Sequence, residues 1–546
     1  MRSLTITFLC LLSFGLYSQE YLKDRVIVKL KNPGKEIKTL EELPELNSFF
    51  NENDILEIKP LDFSPSKSLN GRPLVIIFSN EVAIQEKISH LKNTHLFDYI
   101  EPDFIARGSG VKISDDSPSQ PSLAPLAVTP NDQYFSRQWG LYNNGTFNLS
   151  PSIVGADVKM REAWEITTGS SEISIAIMDT GIRMNHPEFA GRILENPNEV
   201  VNGIDDDGNG LIDDLYGWDF VNNDNTPTDD HGHGTNVTGI TVANGNNGIG
   251  YAGVDWNCKL LPLKVLNSNN SGSYSDMIAS IYYAINRNVN VISMSIGGSS
   301  YSQGLYDAVL AAYNANIPFI ACMMNHNNSA TYYPAAFPQV IAVGSTDPND
   351  YRSAPFFWDP SSGSNYGNHI DVVAPGNFIY GLSYASNTHY DSYWGGTSQA
   401  TPLVAGIVTL MLSIKPNLMI EEIRSILRTT AQDLVGRTSE DIPGFDPYHG
   451  AGRVNAYQAL LTVQYLSTHT MNSPVVSVYP NPTQDKLYIE TEYEVRDIQI
   501  YDLTGRFIKR IENTFEVDMS TFHKGVYLLK ISTTNNHIIE TKVIKQ

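Results

Sequence analysis

Near-continuous apolar runs recur through the middle of the chain: ISIAIM (173–178), KLLPLKVL (259–266), VNVISMSI (289–296), IPFIACM (317–323) and QVIAVGST (339–346). Runs of that length and texture predict parallel strands buried on both faces. Helix-period patterns fall between them, at about 275–287 and 302–315, and an apolar helix is expected from Ser398 to about Ser413. The alternation predicts an α/β fold over 131–462, a doubly wound, mostly parallel sheet with right-handed crossovers. Ahead of it, RVIVKLK (25–31), PLVIIFS (73–79) and DYIEPDFIA (98–106) read as strands and 81–91 as an amphipathic helix, a small α+β unit over 20–107. After it the pattern shortens. KLYIE (486–490), DIQIYD (497–502) and GVYLLKI (525–531), broken by Pro-Asn-Pro and Thr-Gly, predict a β-sandwich over 475–546. Residues 108–130, rich in Ser, Pro and Asp, and 463–474 read as linkers.

Charge and address narrow the function. The 546 residues include 37 Lys and Arg against 59 Asp and Glu, a net charge of −22, and the block 131–462 alone has 14 basic and 32 acidic residues. Such a surface repels phosphate backbones, which excludes a nucleic-acid binder working through overall charge. It suits a secreted protein that holds calcium. Residues 1–19 have the form of a signal peptide: Arg2, an apolar stretch over 4–16, then Ser18. No later continuous apolar run reaches the length of a membrane span, so no transmembrane segment is expected. Cys258 and Cys322 sit in apolar runs and read as buried thiols, with the question of a disulfide between them open.

Three segments carry candidate chemistry. The strand at 173–178 ends in Asp179-Thr180-Gly181, where an open α/β sheet gathers functional groups. Taken alone, Asp179 is a turn cap. HGHGTNVTG (231–239) sets His233 between glycines at a helix start, where the dipole resists protonation and keeps a base available. A metal pair of His231 and His233 lacks further ligands at zinc spacing. GGTSQATP (395–402) puts Ser398 after two glycines at a second helix start, with Pro402 expected in its first turn. Taken alone, Ser398 is an N-cap. Asp, then His, then Ser is the chain order of the subtilisin triad.

DTGI (179–182), HGTNVTG (233–239) and GTSQATP (396–402) closely resemble the three signatures of the subtilisin-like serine proteases, the subtilases. NHPEF (185–189), SMSIGG (293–298), YYPAAFPQVIAVGS (332–345), DVVAPG (371–376) and GAGRVNA (450–456) extend the resemblance over about 131–462. It implies a Ser398 nucleophile, a His233 general base, an Asp179 that holds the imidazole, and an Asn325 donating to the oxyanion. It also implies that Ser295, Ile296 and Gly297 pair with an extended substrate. Met324 stands where the family usually has Gly before this Asn, and lines the primary pocket. Asn236 stands where the family often has His, outside the triad.

The acidic loop NGIDDDGNGLIDD (202–214) offers Asp205, Asp207, Asn209 and Asp213 at calcium-loop spacing, with Gly210 for the turn. Tyr216 at the twelfth position rules out an EF-hand, and a merely solvated loop is the alternative. Asp132, Glu188 and 247–249 resemble a calcium site of the thermitase and subtilisin type. Residues 20–107 lie where the family carries an inhibitory propeptide, with self-cleavage expected in 108–130. An ordinary N-terminal domain is the alternative there. VYPNPTQDKLYI (478–489), YDLTGR (501–506) and TKVIKQ (541–546) resemble the sorting domain of type IX secretion cargo, which implies contact with that secretion machinery and an extracellular or outer-surface location. A sandwich binding carbohydrate or protein is the alternative. The sequence thus reads as a secreted, calcium-supported serine endopeptidase acting on polypeptides. Its rivals are a catalytically idle adhesin or binding module, and an acyl-transferring ligase.

Overall fold

The structure, a computed structural model, describes residues 19–31, 37, 42–43, 46, 50, 54–63, 68–79, 84–114, 127–471, 476–491, 494–502, 507–534 and 538–545. The signal-peptide stretch, apart from residue 19, and most of the 108–130 linker lie outside them. The chain divides into two compact units, one up to Val463 and one from Gln464.

The first unit opens with β1 (Tyr21–Leu30), β2 (Ile55–Pro60), β3 (Pro73–Phe78), α1 (Ile84–Asn93), β4 (Phe97–Gly108) and β5 (Val111–Ser114). β1 to β4 form an antiparallel layer in the order β4-β1-β3-β2. Strand alternation decides which side chain faces which neighbour. Val26, Val28, Leu74 and Ile76 pack with Ile84, Ile88 and Leu91 of α1, while Ile27, Val75, Phe104 and Ala106 join the core of the following block.

That block contains β6 (Ser174–Asp179), β7 (Trp218–Asp219), α2 (His233–Val242), β8 (Lys259–Lys264), β9 (Ser271–Ser273), α3 (Tyr274–Asn286), β10 (Val291–Met294), β11 (Ile296–Gly297), α4 (Gln303–Asn314), β12 (Phe319–Cys322), β13 (Val340–Thr346) and β14 (Val372–Pro375). β15 (Ile379–Tyr380), β16 (Ser392–Gly395) and α5 (Thr397–Ile414) follow. Seven parallel strands run in the order β14-β13-β12-β10-β6-β8-β7. The first strand, β6, lies inside the sheet with later strands on both sides. Its carboxyl end therefore sits near the point where strand order reverses, the usual place for a site in such folds. α5 is eighteen residues long and apolar enough to cross a bilayer, yet 89% of it is buried within the fold, as a core helix. Pro402 is not in its first turn but inside the helix.

β4 docks on this block through its acids as well as its apolar side chains. Glu101 accepts hydrogen bonds from Gln303 N (2.9 Å), Gly304 N (2.9 Å) and Ser302 Oγ (2.7 Å) at the start of α4. Asp103 accepts from Ser275 N (2.9 Å) and Ser275 Oγ (2.5 Å) at the start of α3. Helix N-termini present orphan N–H groups and positive partial charge, so carboxylates from another segment satisfy them directly. The linker expected at 108–130 is also ordered at its start, where β5 pairs antiparallel with β16.

The stretch expected as a linker at 463–474 is helical through Met471, the end of a helix that begins at Ala456, and the rest of the second unit is two antiparallel sheets. One holds β17 (Val476–Tyr479), β18 (Lys486–Thr491) and β21 (Glu516–Asp518). The other holds β19 (Val495–Asp502), β20 (Phe507–Glu512), β22 (Gly525–Thr533) and β23 (Ile538–Lys545). Alternate residues such as Leu487, Ile489, Ile498, Ile500, Leu529 and Ile531 meet between them, the core of a β-sandwich.

Burial raises the Asp103 carboxyl to about 6, against hydrogen bonds from Ser275 that pull it down. An acid whose folded pKa exceeds its unfolded value of ~4 makes the folded chain bind more protons, so stability falls as pH rises between the two. Asp103→Asn is expected to flatten the decline in melting temperature over that window, read by thermal unfolding at a series of pH values. An unchanged slope would contradict this account of the docking.

Candidate active site

Asp179 is the last residue of β6 and His233 the first of α2, and both are buried. Asp179 Oδ1 lies 2.7 Å from His233 Nδ1 and also accepts from Thr180 N. The start of α2 is held by Asp229, which accepts from Gly232 N (2.7 Å), Thr235 N (2.9 Å), Thr235 Oγ1 (2.6 Å) and Thr180 Oγ1 (2.8 Å). Gly232 has φ 107°, and a Cβ there would lie 2.5 Å from the Tyr384 ring, so only glycine fits beside His233. Burial opposes a charged His233 ring. The Asp179 charge and hydrogen bond, joined by the Ser109 carbonyl, outweigh it and hold the pKa above the ordinary histidine value.

Ser398 is the second residue of α5, and Gly396 takes the cap position, so Ser398 is not the N-cap. Its hydroxyl is fully buried, 2.6 Å from Ser109 Oγ, and donates to the Ser295 carbonyl at 3.1 Å. Pro402 cannot donate to the Ser398 carbonyl four residues back. Ser295 Oγ supplies that donor at 2.9 Å, which ties the start of α5 to the end of β10. Asn325 Oδ1 accepts from Thr397 N (2.9 Å) and Thr397 Oγ1 (3.0 Å). With its oxygen committed, the Asn325 amide presents Nδ2, which lies 2.8 Å from where a Gly396 Cβ would be. The Asn325 amide and the start of α5 therefore border the same small volume.

The chain's own backbone occupies the cleft. Ile105, Ala106 and Arg107 pair antiparallel with Ser273, Gly272 and Ser271, while Arg107 and Gly108 pair with Gly297 and Ile296. Ser109 N donates to the Ser295 carbonyl (3.2 Å), and the Ser109 carbonyl lies 3.1 Å from His233 Nε2. No hydrogen bond joins Ser398 Oγ to His233 Nε2 among the described residues, because Ser109 lies between them. Beyond Gly110, β5 continues along β16. Met324, buried at φ 71°, lies against β11: a Cβ on Gly297 would be 2.7 Å from its Sδ. Its Sδ is also 3.7 Å from Cys322 Sγ. Ser109 and Thr397 were not legible as site residues. Asp229 carried a weak signal, an acid just ahead of a helix start.

The acidic loop gathers a different set from the expected one. Asp207 comes within 4.8 Å of Glu199 and Asp214, one ligand atom each. Asp205 accepts from Gly208 N, Asn209 N and Gly210 N, and Asp213 from Asn202 N and Gly203 N, as Glu199 accepts from Asp206 N and Asp207 N and Asp207 from Asn209 N. Asn209 Oδ1 is taken by Leu211 N. A tight loop leaves its own amides without partners, and these side chains satisfy them. Asp132 and Glu188 do come together with 246–251: Asp132 Oδ2 accepts from Asn246 N (2.7 Å), and Glu188 accepts from Asn247 Nδ2 (2.7 Å) and Tyr251 N (3.2 Å). Asp132 Oδ1 is buried without a partner, and burial, with the nearby Asp132 charge, pushes Glu188 up to about 8. Cys258 and Cys322 are both free and buried, and they do not pair.

Residues 170–452 match the model of the subtilase family. The chain belongs to the subtilases. Thermitase of Thermoactinomyces vulgaris is 37% identical over 338 residues, 62% of this chain and 100% of that protein. The thermophilic serine proteinase of Bacillus sp. (strain AK1) is 33% identical over 378 residues, 69% of this chain and 76% of that protein. A solved structure titled "Proteases from Pseudoalteromonas arctica PAMC 21717" is 26% identical with a TM-score of 0.48, covering 62% of this chain and 100% of that one. Residues 477–546 match a secretion system C-terminal sorting domain. This subtilase is a serine-type endopeptidase with polypeptide substrates, exported by type IX secretion to the cell surface or beyond.

Proposed function

We propose that Ser398, His233 and Asp179 form the catalytic triad, and that the described chain is the inhibited precursor. The observation that carries this reading is the buried 2.7 Å contact of Asp179 with His233 Nδ1, with Ser109 laid between His233 Nε2 and Ser398 Oγ. Asp179 holds the proton on Nδ1, which leaves Nε2 as the base. Once Ser398 Oγ turns from Ser109 Oγ toward the carbonyl carbon, its proton passes to Nε2 and the oxyanion meets Asn325 Nδ2 and the Ser398 N–H. Collapse expels the amine, protonated by His233, and leaves an acyl-enzyme that water hydrolyses by the same route. Residues 20–107 act as propeptide: β4 lies as a substrate would, and the bond after Ser109 is the processing site. Wild-type chain is expected to mature to a form beginning at Gly110 and to take a fluorophosphonate label. Ser398→Ala is expected to stay full length and unlabelled, as followed by intact mass and gel fluorescence. A wild-type chain that neither processes nor labels would favour the idle binding module.

Ser295, Ile296 and Gly297 bind substrate backbone, which any polypeptide supplies, and the side-chain pockets grade it. Met324 fills the slot between β11 and the Cys322–Asn325 segment that a glycine would leave open. The preferred residue before the scissile bond is therefore small, as Ser109 is. Met324→Gly is expected to raise kcat/KM for Leu or Phe at that position, relative to Ser or Ala, by at least about tenfold, the scale for added apolar volume in a pocket. The readout is a peptide library scored by mass spectrometry, and a wild-type preference for Leu or Phe would refute the pocket assignment.

Calcium fits two places. Asp132 and Glu188 offer two buried carboxylates, with Asp132 Oδ1 unpartnered, and Glu199, Asp207 and Asp214 converge on the acidic loop. Bound calcium would neutralise these carboxylates and stabilise the folded form by mass action. Removal by EGTA is expected to lower the melting temperature of the Ser398→Ala chain by several degrees, restored by calcium and only weakly by magnesium. A melt indifferent to EGTA would count against both sites.

A further inference from the structure

Asp441, Asp446 and His449 form a second cluster that no step above uses. All three are sealed from solvent, at 3%, 2% and 0% exposure, and each offers a ligand atom within 4.8 Å of the others. Their hydrogen bonds are incomplete in a specific way. Asp441 accepts from Gly436 N through Oδ2 alone, and Asp446 accepts from Tyr448 N (2.7 Å) and His449 N (2.8 Å) through Oδ1 alone. Asp441 Oδ1, Asp446 Oδ2 and both nitrogens of His449 have no partner. The shortest approach of the ring to Asp446, Nδ1 to Oδ1, is 3.8 Å, too long for a hydrogen bond. Buried polar atoms are almost always satisfied, and two carboxylates brought together out of water are strongly unfavourable unless a cation lies with them.

We infer that Asp441, Asp446 and His449 bind a divalent transition metal of the zinc class. One imidazole nitrogen and two carboxylate oxygens are a donor set zinc accepts. The imidazole disfavours calcium and magnesium, which take oxygen ligands. Two carboxylates and a divalent ion are electrically neutral together, and three of the four orphan atoms gain a partner. The cluster is closely walled: a Cβ on Gly436 would lie 2.5 Å from His449 Nε2. With no exposure to substrate, the role is structural. The surrounding loop folds back through Asp446 N to Gly450 O (3.0 Å) and Gly450 N to Asp446 O (2.9 Å), then joins the edge of the parallel sheet where Ala451 N meets Asp371 O and Val373 N meets Gly452 O. An ion here would pin the 436–450 loop to that edge.

The test uses the full chain carrying Ser398→Ala, freed of loosely held ions by gel filtration in metal-free buffer without chelator and analysed by inductively coupled plasma mass spectrometry. The expected result is close to one zinc-class ion per chain. The melting temperature should fall with 1,10-phenanthroline and recover with zinc but not calcium. Adding His449→Gln should remove the ion and abolish the response to phenanthroline. If that variant does not fold, the metal content and the chelator melt of the Ser398→Ala chain decide alone. A chain grown in zinc-replete medium that holds no stoichiometric transition metal and whose melt ignores zinc would overturn the inference. So would a bound ion that survives His449→Gln.

Discussion

The buried contact between Asp179 and His233 is the interaction that the rest of the cleft serves. A carboxylate and an imidazole removed from water are unfavourable unless each is held by partners, and here the partners come from backbone that the fold fixes. Thr180 N and the Asp229 network hold the two elements that carry the pair, so the geometry does not depend on two free rotors finding each other. The Lys264 ammonium, also buried, donates to the Thr180 and Leu266 carbonyls and to Asp230, which keeps the loop around the pair closed.

The parallel sheet makes that pair possible. β6 delivers Asp179 at its carboxyl end, and the chain that follows the parallel strand β7 starts α2 with His233 at the same edge. α5, the most apolar helix in the unit, needs burial along nearly its whole length, and that need drives its first turn into the site. The helix bond that Pro402 cannot make is replaced by a side chain just beyond β10: Ser295 Oγ donates to the Ser398 carbonyl that Pro402 leaves free. The same segment offers its Ser295 carbonyl to Ser109 N, so the residue that secures the helix also receives the substrate-like strand.

On the proposed reading, the N-terminal module works by the logic of a substrate extended into a fold. Its final strand uses backbone pairing with β9 and β11, a mode open to any peptide. Its specificity comes from elsewhere on β4, where Glu101 and Asp103 satisfy the starts of two helices that otherwise point orphan N–H groups at the interface. A generic substrate has the pairing but not the caps. The proposed inhibitor therefore stays in place where a substrate would exchange.

The sequence by itself determined the alternation of strands and helices through the central block, because apolar runs of strand length alternate there with helix-period patterns, and three short signatures marked Asp179, His233 and Ser398. It determined export as well, through the pattern of the C-terminal tail. Tertiary structure alone decided which carboxylates converge. Asp207 has calcium-loop spacing, and the carboxylates that come nearest it, Glu199 and Asp214, lie outside that spacing pattern. It also decided that Cys258 and Cys322 stay apart, that Met324 folds onto Gly297, and that Ser109, in a stretch that reads as a linker, lies against Ser398. Spacing along a chain records local geometry. Convergence of distant side chains on one volume depends on packing between elements, and no local pattern encodes that.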